Sequence, residues 1–309
     1  MNLFNAQITN WQNWSDVYQS IDAFSSLVEH ILKKENLPIA KLQNLTPGTN
    51  AVFKVGSYVI KIYAPFESGI DQTVDLQTEL FAMKRVNELG ISAPKMIAFG
   101  YVEDKYRFAY MIIEYISGLD FTEAVKTMTN EEKINFGQKL RMVTDNMNVN
   151  CDPFNSIDVI NDKERCRRWD KYPEKFKSER LVYLKSYDFG EKVFVHGDLC
   201  GDNILLTPKK ELYIIDFADA VLAPIIYEHA LIAVELFEFD LALLYGYFRN
   251  YSIHELIEMS FNGLLIHAFG GSIVEQRIGR PSEFQSLDDL REALKHKYKS
   301  KICFDINKT

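Results

Sequence analysis

The densest run of reactive side chains is Val195-His196-Gly197-Asp198-Leu199-Cys200-Gly201-Asp202-Asn203. After a turn at Pro208–Lys210 it is followed by Tyr213-Ile214-Ile215-Asp216-Phe217. The β-prone stretch Lys192–Val195 delivers a histidine and an aspartate into a tight loop, and an asparagine stands five residues after that aspartate. A second stretch, Leu212–Ile215, returns and ends on Asp216. Two carboxylates and one amide oxygen converging from neighbouring strand ends make a hard-oxygen site suited to Mg2+. One of the acids can stay off the metal and accept a proton from a hydroxyl. Phosphoryl transfer needs that division of labour, a base to orient the nucleophile and a cation to bridge phosphates. Asp and Asn are also ordinary turn residues, but turn propensity alone does not explain why both acids directly follow a β-run.

The elements that must hold these residues fall into two textures. Apolar residues at Val17, Ile21, Phe24, Val28, Ile31 and Leu32 predict one helix over Ser15–Glu35 with Ser15 as its N-cap. From Leu42 onward come Ala51–Val55 and Tyr58–Tyr63, two short strands around Gly56-Ser57, then a helix over Asp71–Leu89 stopped by Gly90. Lys95–Val102 and Arg107–Tyr115 form a second hairpin. Beyond Gly118 the pattern is mostly helical: a capping box at Thr129 and Glu132 opens a helix to about Met147, and a helix pair is expected between Asp158 and Ser186. The basic segment Lys163–Arg180 reads as a solvated helix face. Helices are also expected over most of Ile225–Phe269 and over Leu287–Lys297. The fold class is therefore α+β in two lobes: residues 1–117, an N-terminal helix plus a small antiparallel-sheet lobe, and residues 118–309, a larger helical lobe.

The pattern His-x-Asp-x(4)-Asn, then a strand ending in Asp-Phe, resembles the catalytic core of the aminoglycoside phosphotransferase and choline kinase family within the protein-kinase-like fold. The resemblance implies that Asp198 is the catalytic base, that Asn203 and Asp216 bind magnesium, and that His196 supports the loop by bonding to backbone. In the small lobe, Thr46-Pro47-Gly48-Thr49-Asn50 resembles the loop that covers the nucleotide, assigning Gly48, Thr49 and Asn50 to cofactor binding. By the same resemblance the strand lysine Lys61 holds the α- and β-phosphates and the helix glutamate Glu79 holds Lys61. Met111–Gly118 is similar to the segment joining the lobes, where the Glu114 carbonyl and the Ile116 amide would meet adenine. The order Gly48, Lys61, Glu79, Asp198, Asn203, Asp216 follows the family throughout. The loop at Gly48 is not Gly-x-Gly-x-x-Gly, which leaves the choice between ATP and GTP open. Cys200 stands where kinases acting on Ser or Thr place a lysine, and no Ala-Pro-Glu follows Asp216. A helix soon after Pro224 leaves no room for a long activation segment, which disfavours a protein substrate.

Charge narrows the acceptor. The 309 residues carry 35 Lys plus Arg and 43 Asp plus Glu, a formal net charge of −8, with 47% apolar residues. An acidic chain is a poor partner for nucleic acid, and this composition is that of a folded globular protein. Residues 211–248 hold seven acids and no lysine or arginine, which is all but one unit of the imbalance. In the family the helices after the metal aspartate line the acceptor pocket. Asp219, Glu228 and Glu235 are therefore candidate contacts for a cationic small molecule, with bracing of the loop as the competing role for Asp219 and Glu228. Resistance to an antibiotic and housekeeping phosphorylation of a sugar, amino alcohol or nucleoside analogue both fit. A catalytically silent nucleotide-binding regulator is the alternative from another class; it would have no need of both a base and metal ligands. Four scattered cysteines without Cys-x-x-Cys spacing, no secretory signal at the start, and carboxylates interrupting Ala230–Phe248 predict a cytoplasmic protein with no membrane span. No nucleic-acid or membrane partner is expected, and nothing indicates the oligomeric state.

Overall fold

A computed structural model describes residues 3–46, 48–162 and 167–306, with the backbone alone from 302 onward. The chain divides into two compact units. One comprises residues up to Glu88 together with Ala93–Ser117, and the other Leu89–Ser92 together with everything from Gly118.

In the first unit the Ser15–Glu35 pattern resolves into two helices. Helix α1 spans Trp11–Val17 and is capped by the Asn10 side chain. Helix α2 spans Ile21–Lys34 and is capped by Ser20, which accepts from the Ala23 amide. Ser15 is no cap, since its hydroxyl donates to the Gln12 carbonyl from inside α1. The apolar period runs through the break, and Ser20 interrupts it because a hydroxyl satisfies an otherwise orphaned amide. Five strands follow: β1 (Leu42–Asn44), β2 (Ala51–Val55), β3 (Tyr58–Ile62), β4 (Met96–Glu103) and β5 (Arg107–Glu114), with helix α3 (Thr73–Glu88) between β3 and β4. They form one antiparallel sheet in the order β1-β2-β3-β5-β4. Alternation sets its faces: Ala51, Phe53 and Val55 of β2 are buried while Val52 and Lys54 are partly exposed. Phe24, Leu27, Val28, Ile31 and Leu32 of α2 pack with Phe53, Phe108 and Tyr110 of the sheet in one core. Gly90, at φ +70°, ends α3.

The second unit opens with β6 (Leu119–Asp120), α4 (Phe121–Ala124) and α5 (Asn130–Met147). The Thr129–Glu132 capping box closes in both directions. Of the helix pair expected between Asp158 and Ser186, α6 spans Glu174–Ser186 behind a 3-10 turn at Arg167–Trp169, and residues 163–166 lie outside the described residues. The face around Arg180 is not solvated. Arg180 is buried, donates twice to the Leu265 carbonyl (2.9 and 2.6 Å) and lies over the Trp169 ring. Strand β7 (Lys192–Val195) pairs with β10 (Val221–Pro224), and β8 (Ile204–Leu206) lies between β6 and β9 (Leu212–Ile214). Helix α7 (Ile226–Leu231) runs into a π-turn over Ile232–Leu236, then come α8 (Leu241–Tyr247), α9 (Ile253–Ile266) and α10 (Gly270–Ile273). A second π-turn, Val274–Ile278, precedes α11 (Leu287–Ile306). α5 and α8 meet backbone to backbone: a Cβ on Gly246 would lie 2.3 Å from the Ile134 carbonyl oxygen, so only glycine permits that approach. No described helix is long and apolar enough to cross a membrane.

Candidate active site

Within the first unit, β3 and α3 bring together the lysine and glutamate that the sequence places 18 residues apart. Lys61 Nζ donates to both carboxylate oxygens of Glu79, at 3.0 and 2.8 Å, and the Tyr63 hydroxyl donates to Glu79 Oε2 at 2.6 Å. All three residues are buried. A buried carboxylate that accepts from an ammonium and a phenol is fixed in position and holds the lysine head in turn. Lys61 and Tyr63 share a strand face by the period of two, so Tyr63 belongs to this cluster although only a register argument would have singled it out. In the loop ahead of β2, Asn50 is buried and its Oδ1 accepts from the Ala64 amide at 3.3 Å. The Thr49 carbonyl accepts from the Trp14 indole at 2.9 Å. Gly48 has open space where a Cβ would stand, so packing does not demand glycine there. Glu114 ends β5, its amide donating to the Lys95 carbonyl, and Ile116 follows it in the segment that closes this unit.

Within the second unit, β7 leads directly into the loop that carries His196 and Asp198. His196 is fully buried; its Nδ1 accepts from the Asp198 amide at 3.2 Å and its Nε2 bonds the Ile215 carbonyl at 2.9 Å. These partners require the proton on Nε2, and burial pushes the ring's pKa down to about 4, so the ring is neutral. Gly197 sits at φ +86°, and a Cβ there would lie 2.0 Å from the Asp219 carbonyl oxygen. Backbone geometry therefore requires glycine at this position. Asn203 donates from Nδ2 to the Asp198 carbonyl at 2.8 Å and to Asp198 Oδ2 at 3.2 Å. Because that nitrogen is committed to Asp198, the amide oxygen is the atom left to meet a cation. Asp216 adopts φ +60°, a conformation uncommon outside glycine and concentrated at functional sites, and Phe217 beside it is fully buried against the His196 ring. Burial first, then the charges of Asp219 and Asp216, push the Asp198 carboxyl up to about 7.

The donor set fits a hard cation: Asn203 and Asp216 offer oxygens only. No cluster of three or more His, Cys, Asp or Glu placed to hold a metal occurs among the described residues. Asn203 and Asp216 would be the protein's share of a magnesium shell, which phosphate and water oxygens would complete.

The acidic stretch 211–248 is largely answered from within the chain. Glu228, expected as an acceptor contact, is fully buried, and its two oxygens accept the amides of His196 (3.1 Å) and Gly197 (3.0 Å). It braces the loop and does not face an acceptor; burial raises its pKa to about 7 against the pull of those amides. Glu235, the second expected contact, is held bidentately by Arg277 at 2.8 and 2.9 Å. Arg277 also meets Glu238 at 2.7 Å. Asp240 caps α8 and pairs with Lys133 at 2.6 Å. Asp219 is near enough for its charge to help raise the Asp198 carboxyl.

A family model described as the phosphotransferase enzyme family matches residues 47–259, and the chain belongs to that family. None of the curated proteins compared with the chain matches it in sequence. Among solved structures, the GDP complex of wild-type aminoglycoside 2'-phosphotransferase-IIIa is similar at 14% identity and a TM-score of 0.55, covering 89% of this chain and 98% of that one. The streptomycin–ATP–APH(2")-IIa ternary complex is similar at 16% identity and 0.56, covering 86% and 98%. A choline/ethanolamine kinase family protein from Mesorhizobium loti is similar at 16% identity and 0.52, covering 88% and 90%. These likenesses fix the fold as the protein-kinase-like one of the family, a mixed α+β architecture.

Proposed function

We propose that the protein is a small-molecule kinase that transfers the γ-phosphate of ATP to a hydroxyl. The arrangement around Asp198 carries this reading: its carboxylate is oriented by Asn203 and its loop is pinned by His196 and Glu228, while Asp216 is held beyond it in a left-handed conformation. Asp198 accepts the acceptor's hydroxyl proton as the oxygen attacks, and the carboxyl near neutrality is matched to that transfer. Lys61, fixed by Glu79, binds the α- and β-phosphates, and backbone at Thr49, Glu114 and Ile116 meets the nucleotide. Mg2+ bound by Asn203 and Asp216 would supply charge neutralisation on the transferring phosphates. Solved relatives named as complexes with ATP, ADP and GDP support a nucleoside-phosphate donor without choosing the base. The compartment we assign is the cytoplasm, consistent with the free thiol of Cys200.

A magnesium-dependent ATP turnover assay tests the assignment. Asp198→Ala is expected to lower turnover about 100-fold or more while leaving nucleotide binding intact. Turnover unaffected by that change would return the reading to a silent nucleotide-binding module.

A further inference from the structure

A groove of about 370 Å3 opens within the second unit, between one face of α5 and the turn that follows α8. Helix α5 lends it Arg141, Met142 and Asp145, and the turn lends it Arg249 and Tyr251. The buried Tyr247 ring lies at its floor. None of these residues has a part in the phosphoryl transfer proposed above. The floor is fixed in place: the Tyr247 hydroxyl shares a 2.6 Å hydrogen bond with Thr144. The rings of Tyr247, Phe248 and Tyr251 then pack in succession, with centroids 4.6 and 5.2 Å apart. Walls that are already ordered lower the entropy a ligand's binding would cost.

The cations of this groove are answered only in part. Arg141 donates Nε to Asp145 Oδ1 at 2.7 Å, and its Nη1 and Nη2 have no partner among the described residues. Its guanidinium stands 5.4 Å from the Tyr247 ring centroid and is half-buried. Arg249 is exposed, and its guanidinium has no hydrogen bond or ion pair among the described residues. Two guanidiniums against the one carboxylate of Asp145 leave the groove with a formal charge of +1. We propose that the groove is a second small-molecule site and that its ligand is a small planar monocarboxylate. The end-on Nη1 and Nη2 edge of Arg141 matches the two oxygens of a carboxylate. One negative charge balances the groove, whereas a phosphate monoester would leave its second charge uncompensated beside Asp145. Tyr251 and the exposed Met142 offer apolar surface to the body of the ligand. The volume is at the small end of the range for ligand pockets and suits a single ring. The site does not depend on the kinase reading.

Calorimetric titration of the full chain with benzoate tests this. A Kd of about 1 mM or tighter is expected, unchanged when Mg2+ and a non-hydrolysable ATP analogue are present in excess. Benzamidine, of the same shape and opposite charge, should bind at least about tenfold more weakly, and phenyl phosphate no more tightly than benzoate. Arg249→Ala alters an exposed side chain without a partner and should weaken benzoate about tenfold while the fold is kept. Arg141→Met should weaken it by about as much, with circular dichroism confirming that the variant is folded. Asp145→Asn raises the groove to +2 and should tighten phenyl phosphate about tenfold while moving benzoate by less than about threefold. Absence of benzoate binding up to about 10 mM overturns the proposal. So does equal affinity for benzamidine, an affinity unmoved by Arg249→Ala, or displacement of benzoate by the ATP analogue. Phenyl phosphate binding the wild type about tenfold more tightly than benzoate would overturn the monocarboxylate assignment.

Discussion

At the scale of single residues, the buried histidines show how far environment overrides residue type. His196 and His229 are both enclosed, yet His196 has backbone partners at both ring nitrogens and His229 has none among the described residues. The His229 ring is instead met edge-on by Tyr247 at 5.7 Å and Phe248 at 5.5 Å. Burial, with the nearby Arg141 charge, depresses its pKa to about 3. A depressed histidine is neutral when folded and protonated when unfolded below about 6.5, so its favourable state is complete above that pH and is lost as pH falls toward 3. At pH 5 the penalty is ~2 kcal/mol. His229→Phe keeps the edge-on ring and deletes two unpaired polar atoms. The variant should be more stable than the wild type at pH 7, and urea unfolding should show the difference growing by ~2 kcal/mol at pH 5. A difference that stays constant with pH would mean the histidine is not held neutral. The same contrast shows what was legible in sequence. Asp198 and Asn203 stand in one short loop and Asp216 follows the second strand after it, so type and spacing single them out as candidates. The duty of Glu228 depends on two amides 31 and 32 residues away, and nothing in a helical glutamate announces a backbone partner.

At the scale of elements, strands and hairpins followed the alternation of the sequence closely, and β2, β3 and α3 lie within two or three residues of expectation. The departures arise where a polar cap or a long-range partner competes with apolar period. Ser20 divides the first helix, and Arg277 reaches the 232–236 turn from a stretch whose sequence carries no motif. The first helices also have a duty that their composition conceals. Trp14 is fully buried in the core of the first unit and donates from Nε1 to the Thr49 carbonyl, tying α1 to the loop assigned to the nucleotide. Trp14→Phe retains most of the apolar volume and removes that donor, leaving a carbonyl short of a partner at a cost of about 1 kcal/mol. The expected outcome is a KM for ATP raised about fivefold with kcat nearly unchanged, since the loop binds nucleotide in ground and transition states alike. A fall in kcat at constant KM would place the effect elsewhere than in loop position.

At the scale of the whole molecule, a net charge of −8 predicts little by itself, because the fold decides which carboxylates remain to meet a ligand. Salt bridges from Lys133 and Arg277, both outside the acidic stretch, answer three of its seven acids. The magnesium ligands proposed above, Asn203 and Asp216, would couple metal to global stability by linkage. A ligand that binds only the folded chain and is present at about 100 times its Kd adds about 2.7 kcal/mol. A non-hydrolysable ATP analogue should therefore raise the thermal midpoint, and Mg2+ should raise it further by tightening the nucleotide. Asp216→Asn removes one anionic ligand and is expected to abolish most of the magnesium increment while keeping the shift from nucleotide alone, which rests on Lys61 and the backbone. EDTA added to the wild type should reproduce that state. Asp198→Asn, by contrast, should retain the increment, because the base is assigned to the proton and not to the metal. Thermal scans of the three proteins with analogue alone, analogue plus Mg2+ and analogue plus EDTA make the comparison. An increment that survives Asp216→Asn but disappears in Asp198→Asn would exchange the roles of the two aspartates.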